Sequence, residues 1–442
     1  MKRLLVRTIF GGWVAIAWWL GGPHSGLAGT LDLNGRVMGA GGIPVVGAEV
    51  LVHTAGPRVG TSGLCPSCYP DCRKRVTTDA TGAFEIEALD DSLLFRLLVV
   101  AKDHVPVFVA KVDPGAGAVE ARLERVDWGS IPAERRIQGR LLGPEGEPVA
   151  DATVSVEGVE LSQGTRWGAV SEVDPLAVTD KAGAFALATK EPLKAVHALV
   201  EAPNLAKQWM RLVPGRVAMG RLRTGVRVSG RVIAGTTPVT NVIIGIAGAS
   251  RRAGEWMGSF NAMTDAHGEF TVANLPANLE YFVYGMMDSF RDRGAVVTRK
   301  FRLGVDGSES NVGELKVVNA HRVAGRIRLS NGGKVPARTR LWFAREEAWD
   351  AIQVELDDQG RFEIKGVPPE AVSLGLHLQG YRMAQKNPNL DWLNGKIIGR
   401  VDRDILDLTI VLEPGNWKGG REDAPRGRNP YPRDMPLRGV KD

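Results

Sequence analysis

Two short stretches decide the fold of this chain: IQGRL at residues 137–141 and TDKAGAF at residues 179–185. The first contains a Gly-Arg pair followed by an apolar residue, and the second carries an Asp and a Gly three positions apart, before a Phe. An Asp at position i with a Gly at i+3 favours a type I turn in which the carboxylate accepts backbone N–H groups. Because the Gly can adopt a positive φ, the second stretch predicts a tight turn that opens a strand.

Both stretches recur along the chain, always in the same order. The first returns as LNGRV at 33–37, VSGRV at 228–232 and VAGRI at 323–327. The second returns as TDATGAF at 78–84, TDAHGEF at 264–270 and LDDQGRF at 356–362. The glycines of the first stretch are 104, 91 and 95 residues apart, and this spacing predicts four tandem units of similar size.

Each copy of the second stretch supplies one Asp and one Gly to a predicted turn. These residues are Asp79 and Gly82, Asp180 and Gly183, Asp265 and Gly268, and Asp357 and Gly360. Calcium binding is an alternative role for the carboxylates, but one carboxylate per turn is few for an ion that takes roughly six to eight oxygen ligands. We therefore expect these residues to be structural.

Apolar residues alternate after each turn, as Phe185 and Leu187 do. A period of two predicts strands with one buried face and one solvent face. The 54 Gly and 25 Pro residues disfavour long helices and favour short strands joined by turns. The chain is therefore predicted to be all-β, a tandem array of antiparallel β-sandwiches of Ig-like type.

The repeats and the flanking composition divide the chain into six ranges. We expect a signal peptide at 1–28, sandwich 1 with a Cys-rich loop at 29–126, sandwich 2 at 135–224, sandwich 3 at 225–319, sandwich 4 at 320–414 and a disordered basic tail rich in Gly, Pro and Arg at 415–442. Residues 126–136 are expected to form the longest linker.

The motifs G-R-V, then G-x-P-V-x-x-A-x-V, then T-D-x-x-G-x-F together resemble the carboxypeptidase regulatory-like domain family. The resemblance extends from about residue 31 to residue 414. It implies the seven-stranded transthyretin (prealbumin-like) fold, secretion, and a binding or structural role. The Leu-Pro or Val-Pro turn that often follows in the family is present at 275–276 and 367–368, and is absent from the first two copies.

The first 28 residues have the layout of a secretory signal peptide. A basic start is followed by an apolar run over residues 8–22, and Gly26 and Ala28 occupy the −3 and −1 positions of a cleavage site. A retained membrane anchor is the alternative, although the apolar run is short of the ~20 residues that a span needs. We therefore expect an exported protein, periplasmic, on the cell surface or extracellular, with no transmembrane span after cleavage.

The formal charge of +6 is concentrated at the two ends of the chain. Residues 1–28 and 415–442 each carry a net charge of +3, and the 386 residues between them hold 46 basic and 46 acidic side chains. A neutral body argues against nucleic acid as a partner. Any polyanion contact is expected in the tail.

The usual catalytic motifs are absent from the sequence. None of the seven His residues has a Glu three positions later, and there is no H-E-x-x-H, no G-x-S-x-G and no phosphate-binding G-x-x-x-x-G-K-[ST]. We predict that the protein is not an enzyme and uses no cofactor.

All three cysteines, Cys65, Cys68 and Cys72, lie in the loop of the first unit. In an exported chain, two of them are expected to form a short disulfide and to leave one thiol for an intermolecular partner. The alternatives are a zinc or copper site, with a fourth ligand such as His53, and a loop with only local order.

Aromatic residues accumulate in the fourth unit. Trp342, Trp349 and Trp392 are candidate carbohydrate-binding residues, because indole faces stack on sugar rings. Core packing is the competing interpretation for the adjacent Trp342 and Phe343, since alternation turns one of two neighbours inward.

The sequence therefore predicts an exported, non-enzymatic scaffold or adhesion module of the bacterial cell envelope or exterior. It is expected to present loops such as 54–75 and 157–178 to an unknown protein or polysaccharide of the envelope. The alternatives are carbohydrate binding by the sandwich faces and an accessory role beside a separate secreted enzyme.

Overall fold

The computed structural model describes residues 29–58, 69, 71–72, 74–168, 170–337, 339–376, 378–391, 394–415, 433 and 435–440. The predicted signal peptide, Cys65, Cys68 and Trp392 lie outside these residues. Within them, strands predominate, and the helical elements are one four-residue α-helix and three 3-10 turns, which confirms the all-β class. No helix in the described part of the chain is long and apolar enough to span a membrane.

We use units 1 to 4 for the described parts of residues 29–126, 135–224, 225–319 and 320–414, and we propose these ranges as domain boundaries. Unit 1 contains β1 Thr30–Met38, β2 Glu49–Pro57, β3 Arg75–Thr77, β4 Ala83–Asp90, β5 Leu93–Val100, β6 Val107–Val112 and β7 Val119–Arg122, with 3-10 turns at Ala40–Gly42 and Pro114–Ala116. These strands form two sheets in the orders β4-β1-β7 and β3-β2-β5-β6. Unit 1 thus has the seven strands that the family resemblance implied.

Unit 2 repeats this arrangement with one added strand. A 3-10 turn at Ala133–Arg135 precedes it, and its strands are β8 Arg136–Leu142, β9 Thr153–Leu161, β10 Gly164–Trp167, β11 Leu176–Val178, β12 Ala184–Ala188, β13 Ala195–Glu201, β14 Gln208–Leu212 and β15 Val217–Arg221. One sheet has the order β12-β8-β15, and the other has the order β10-β9-β13-β14 with β11 also paired to β9.

Unit 3 carries the α-helix. Its elements are β16 Val226–Ala234, β17 Thr237–Pro238, β18 Ile243–Gly248, β19 Ser259–Met263, β20 Glu269–Leu275, β21 Glu280–Gly285, α1 Met287–Phe290, β22 Ala295–Val296, β23 Arg299–Arg302 and β24 Glu309–Val318. The sheets have the orders β17-β16-β24-β22, with β20 also on β16, and β19-β18-β21-β23.

Unit 4 completes the array. Its strands are β25 His321–Leu329, β26 Arg340–Arg345, β27 Ala351–Glu355, β28 Arg361–Val367, β29 Ala371–Leu376, β30 Tyr381–Met383, β31 Leu390–Asp391, β32 Lys396–Arg400 and β33 Ile405–Pro414. They form sheets in the orders β28-β25-β33-β30 and β27-β26-β29-β32-β31.

Each unit contains one parallel strand pair, which the predicted antiparallel sandwich lacks. The first strand of each unit pairs in parallel with the last strand of the unit, in β1/β7, β8/β15, β16/β24 and β25/β33. The last strand reaches the first sheet by crossing over from the second sheet, so it can enter beside the first strand in the same direction.

The two repeated stretches meet in every unit as a cross-strand pair. The register aligns Gly35 with Phe84, Gly139 with Phe185, Gly230 with Phe270 and Gly325 with Phe362. In units 1 to 3 the ring lies over the glycine, and a Cβ on Gly139 would come within 2.5 Å of the Phe185 ring. In unit 4 such a Cβ would instead meet the carbonyl oxygen of Leu408. Only a residue without a side chain permits these contacts.

The turn geometry is the same in all four units. In unit 2, Asp180 Oδ1 accepts the N–H groups of Ala182 and Ala184 at 2.9 Å each, and Gly183 has a φ of 74°. The N–H of Leu141 donates to the Gly183 carbonyl at 2.8 Å, which ties the turn to the first stretch. Asp79, Asp265 and Asp357 accept the corresponding pairs of N–H groups.

Within the predicted disordered tail 415–442, the described residues 435–440 are ordered against unit 4, and residues 416–432, 434 and 441–442 lie outside the described residues. Leu437 is buried in the core of unit 4, and the N–H of Val440 donates to the Thr409 carbonyl at 2.9 Å. Composition predicted a solvated tail because Gly, Pro and Arg dominate it. The few apolar residues near the terminus order only against a surface that exists once unit 4 has folded.

We predict that Gly35→Ala destabilises unit 1 by about 1–3 kcal/mol, because the new Cβ forces the Phe84 ring out of its packed position. Urea denaturation followed by circular dichroism measures the loss. Gly56→Ala is the matched control, since no described atom lies within 4 Å of a Cβ at that strand position. Equal losses for the two variants would contradict the role of the ring contact.

Candidate functional site

Charged and aromatic side chains connect each unit to the next. Units 1 and 2 share an apolar patch formed by Leu98, Val100 and Leu176. Beside it, Arg75 of β3 pairs with Glu49 of its own unit at 3.1 Å and with Glu201 of unit 2 at 3.3 Å. Glu49 is buried, and burial raises the pKa of its carboxyl group. The arginine therefore forms ion pairs with carboxylates of both units.

One predicted turn residue and the predicted linker also connect units 1 and 2. Asp180 Oδ2 lies 2.8 Å from Lys102 Nζ of unit 1. In the linker, Trp128 Nε1 donates to Asp103 Oδ1 at 3.2 Å, and the N–H of Val126 donates to the Asp103 carbonyl at 2.8 Å. The linker thus folds back on unit 1.

Two indoles connect units 2 and 3. Trp167 of β10 covers Gly254, where an added Cβ would approach the ring to 2.6 Å. Trp209 of β14 meets Trp167 edge to face, with 5.9 Å between ring centroids, and its Nε1 donates to the Trp256 carbonyl at 3.3 Å. The strand that carries Trp167 therefore packs against the next unit.

A carboxylate pairs with the histidine that stacks on Trp167. The His197 ring stacks on Trp167 with 4.7 Å between centroids, and His197 Nε2 lies 2.9 Å from Glu160 Oε1. Glu160 also accepts two hydrogen bonds from Arg211, at 2.8 and 2.7 Å. Mainly through these bonds, Arg211 lowers the pKa of Glu160 to about 2.

The line of indoles continues into unit 4. Trp256 stacks on Trp349 with 4.8 Å between ring centroids. The Arg251 guanidinium lies 4.7 Å from the first ring and 4.8 Å from the second, and Tyr284 Oη donates to the Trp349 carbonyl at 3.1 Å. We name Trp167, Trp209, Trp256 and Trp349 the indole line; it crosses units 2, 3 and 4.

A fully buried arginine connects units 3 and 4. Arg345 Nη1 donates to the Gly285 carbonyl at 2.6 Å, and its Nη2 donates to the Val296 carbonyl at 3.0 Å, both in unit 3. Its Nε and Nη2 form a bidentate pair with Glu370 at 3.0 Å each, and Nη1 lies 3.4 Å from Asp350. A single buried guanidinium therefore donates hydrogen bonds to backbone carbonyls of unit 3 and pairs with carboxylates of unit 4.

The partners of Arg345 reach into unit 3 as well. Glu370 accepts from the N–H and the hydroxyl of Thr298, and Asp350 Oδ2 accepts the N–H of Met287 at 2.9 Å. The Met287 side chain packs in the core of unit 4, although α1 belongs to unit 3. Burial raises the pKa of Asp350, whose Oδ1 has no hydrogen-bond partner among the described residues.

Unit 4 also contacts unit 1, so the array is not a simple line. Arg340 at the start of β26 donates to Ser92 Oγ at 2.9 Å and lies 3.5 Å from Asp90 Oδ2. The N–H of Asp90 donates in turn to Asp71 Oδ2 at 3.0 Å, at the described end of the Cys-rich loop. Unit 4 thus contacts unit 1 next to the described end of that loop.

The predicted carbohydrate-binding residues do not share one surface among the described residues. Phe343 is buried, as alternation requires, and Trp342 lies over Gly375 on the outer side of the sheet. Trp349 is 48% exposed but belongs to the indole line. Trp392 lies outside the described residues. The structure therefore gives Trp342 and Trp349 separate surroundings.

One of the two predicted display loops is mostly strand. Residues 157–178 include the end of β9, all of β10 and all of β11, and Trp167 in this range contacts unit 3. The prediction of a free loop here is wrong, because a hairpin extension satisfies its own backbone and packs on the next unit. In the range 54–75, β2 continues to Pro57 and β3 begins at Arg75.

The described part of the Cys-rich loop is attached to unit 1. Tyr69 is buried in the core and Cys72 packs against it, whereas Cys65 and Cys68 lie outside the described residues. His53, the predicted fourth ligand, packs edge to face on Phe108, and burial lowers the pKa of its imidazole. No group of three potential metal ligands occurs within the described residues. The disulfide and the metal site both stay predictions.

The burial of Arg345 has a signal in the sequence of its strand. On β26, Leu341 and Phe343 are buried, and Arg345 is the next residue in the same alternation. An arginine in phase with core residues marks a buried ion pair. Trp167, Trp209 and Trp256 had only a weaker signal, the high number of 11 Trp residues beside 12 Phe and five Tyr.

No family model and no curated protein matches the chain. Among solved structures, it is similar to GBS52, the minor pilin of Streptococcus agalactiae, with 13% identity and a TM-score of 0.24 over 46% of this chain and 100% of that chain. It is also similar to a streptococcal ancillary pilin, with 10% identity and a TM-score of 0.23 over 63% and 99% of the two chains.

Two B repeat units of the collagen binding protein of Staphylococcus aureus are similar with 10% identity and a TM-score of 0.18, over 87% of this chain and 99% of that chain. These TM-scores are low, so the similarities carry no argument about function. The class that the strands and cores define is a tandem array of all-β sandwich domains.

We predict that Arg345→Met destabilises the protein by about 3–5 kcal/mol, because the buried Asp350 and the partly exposed Glu370 are left without their cation. Urea denaturation measures the loss. The control is Arg322→Ala, which removes a half-exposed ion pair with Asp404 worth about 0–1 kcal/mol. A loss of similar size in both variants would contradict the role of the buried guanidinium.

We predict a pH-dependent effect for Glu160→Gln. The pKa of Glu160 is lowered in the folded chain, so its stabilisation is complete above the ordinary value of 4.5 and is lost as pH falls towards 2. Thermal melts should show a lower Tm than the unmodified chain at pH 7, and the difference should shrink below pH 4.5. Glu309→Gln, at an 83% exposed carboxylate, is the control. A difference independent of pH would contradict the prediction.

Proposed function

We propose that the chain is an exported, non-enzymatic scaffold or adhesion protein of the bacterial cell envelope or exterior, built of carboxypeptidase regulatory-like repeats. The observation that carries this proposal is the set of side-chain contacts between units. Domains of one chain move relative to one another by default unless their interface is specific. Here each successive junction has its own contacts, and Arg340 adds one between units 4 and 1.

The chemistry of the junctions supports a mechanical role. Arg345 and its partners are hydrogen-bonded on both sides of the junction between units 3 and 4. Breaking such a buried pair leaves uncompensated charge, which opposes separation of the two units. The indole line adds apolar contact across units 2 to 4. Four sandwiches held in this way can present their outer surfaces in a constant arrangement.

Carbohydrate binding finds less support in the geometry. A sugar platform needs indole faces that are open and side by side, whereas Trp349 stacks on Trp256 and Arg251 covers both rings. Trp342 lies on a different part of unit 4, over Gly375. We therefore do not propose it as the function.

The proposal is tested in the producing organism by deletion of the gene and complementation. We expect the mature chain, lacking residues 1–28, in the periplasmic, surface or extracellular fraction, and an envelope or adhesion defect in the deletion strain. The unmodified chain and Arg322→Ala should restore the phenotype.

Arg345→Met should be exported but should fail to restore the phenotype, because the arrangement of units 3 and 4 is altered. A chain retained in the cytoplasm would contradict export. Full rescue by Arg345→Met, with the junction shown to be disrupted by small-angle scattering, would contradict the requirement for a fixed arrangement.

A further inference from the structure

The C-terminal residues 435–440 occupy a slot between the two sheets of unit 4. On one side, the N–H of Arg400 in β32 donates to the Met435 carbonyl at 2.7 Å, and the N–H of Leu437 donates to the Arg400 carbonyl at 2.9 Å. On the other side, the N–H of Val440 donates to the Thr409 carbonyl of β33 at 2.9 Å. Since β32 and β33 belong to different sheets, the segment closes the sandwich at this edge.

A buried asparagine forms hydrogen bonds with the backbone of the segment. Asn389 is fully buried, its Oδ1 accepts the N–H of Arg438 at 3.0 Å, and its Nδ2 donates to the carbonyls of Pro436 at 3.2 Å and Ile398 at 3.0 Å. A buried amide without these partners would cost stability. The slot is therefore built for an extended backbone at this position.

The slot also selects side chains. Leu437 is 4% exposed and packs in the core of unit 4. An added Cβ on Gly399 would lie 2.7 Å from the Leu437 Cα, and one on Gly439 would lie 2.5 Å from the Thr409 nitrogen. Outside the slot, Arg433 pairs with Glu346 at 3.2 Å. An extended peptide with a buried Leu and a Gly two positions later fits these constraints.

We propose that this slot is a peptide-binding site, that its ligand is the C-terminal segment 435–440, and that two copies of the chain can exchange the segment. Main-chain hydrogen bonds with one apolar side chain are the usual means by which a sheet edge takes up a short peptide. Exchange of an identical element between copies needs no new contacts, because each slot receives the same segment. The proposal concerns contact between copies and goes beyond the scaffold function.

The length of chain between the last strand of unit 4 and the C-terminal segment permits exchange. The 17 residues 416–432 separate Gly415 at the end of β33 from Arg433. A chain of this length spans up to about 55 Å when extended. Covalent attachment through this length of sequence favours the chain's own segment over that of a second copy in dilute solution. In dilute solution each slot therefore holds its own segment, and exchange occurs where copies are crowded.

Two full-length variants test the exchange by complementation. Leu437→Asp places a charge on the apolar side chain of the segment and leaves the slot intact. Gly399→Val blocks the slot and leaves the segment intact. Each variant alone should be monomeric in size-exclusion chromatography with light scattering, and an equimolar mixture should form a 1:1 complex in a concentration series. A mixture that stays monomeric, with both variants folded by circular dichroism, overturns the exchange.

A second measurement does not depend on the folding of these variants. A protease site is inserted within 416–432 of the full chain, and after cleavage a labelled peptide of residues 433–442 is added in excess. Fluorescence anisotropy should show the peptide replacing the cleaved segment, with Gly439→Val in the peptide weakening binding by about tenfold or more. The control peptide carries Arg438→Ala, because Arg438 contacts Asn389 through its backbone N–H and its side chain is exposed, and it should bind like the unmodified one. Equal binding by the Gly439→Val peptide, or none by the unmodified peptide, overturns the site.

Discussion

The packing of a phenylalanine ring on a glycine backbone is the contact on which the sandwiches of this protein depend. In units 1 to 3 the ring lies over the glycine directly opposite on the neighbouring strand. A slip of one residue would turn every apolar side chain of the strand towards solvent, so this pair specifies the register of the first sheet. The Asp-Gly turn precedes the strand that carries the Phe and is hydrogen-bonded to the strand that carries the glycine, as the bond from the Leu141 N–H to the Gly183 carbonyl shows.

All four sandwiches share the Gly–Phe register and the Asp-Gly turn, but each junction between them uses different chemistry. Arg75 spans the first junction, indoles span the second, and the buried Arg345 spans the third. Such variety is expected, because the repeated Gly and Phe residues lie within each sandwich and leave most of its edges and loops free to differ. The contacts between units therefore come mostly from residues outside the repeat, with Asp180 as an exception.

The failed predictions have a common physical origin. The prediction of a display loop at 157–178 is wrong, and residues 435–440 within the predicted disordered tail 415–442 are ordered, although the tail is rich in Gly, Pro and Arg. Both regions contain residues that are ordered by a distant surface: Trp167 by Gly254 of unit 3, and Leu437 by the core of unit 4. A pattern within ten residues carries no information about a surface built from residues far away in the chain. Alternation, which is local, predicts that one of the neighbours Trp342 and Phe343 lies inside, and the structure shows that it is Phe343.

The sequence by itself determined the all-β class, the fourfold repeat and the position of each Asp-Gly turn, because these follow from contacts between residues close in the chain or from a period of two. Only the tertiary structure decided how the units meet, that Arg345 is buried between two of them, and that the chain end fills a slot in unit 4. The physical reason is that burial of a charge or of a short terminal segment depends on the whole surface around it. That surface forms only when separate parts of the chain have folded and come together.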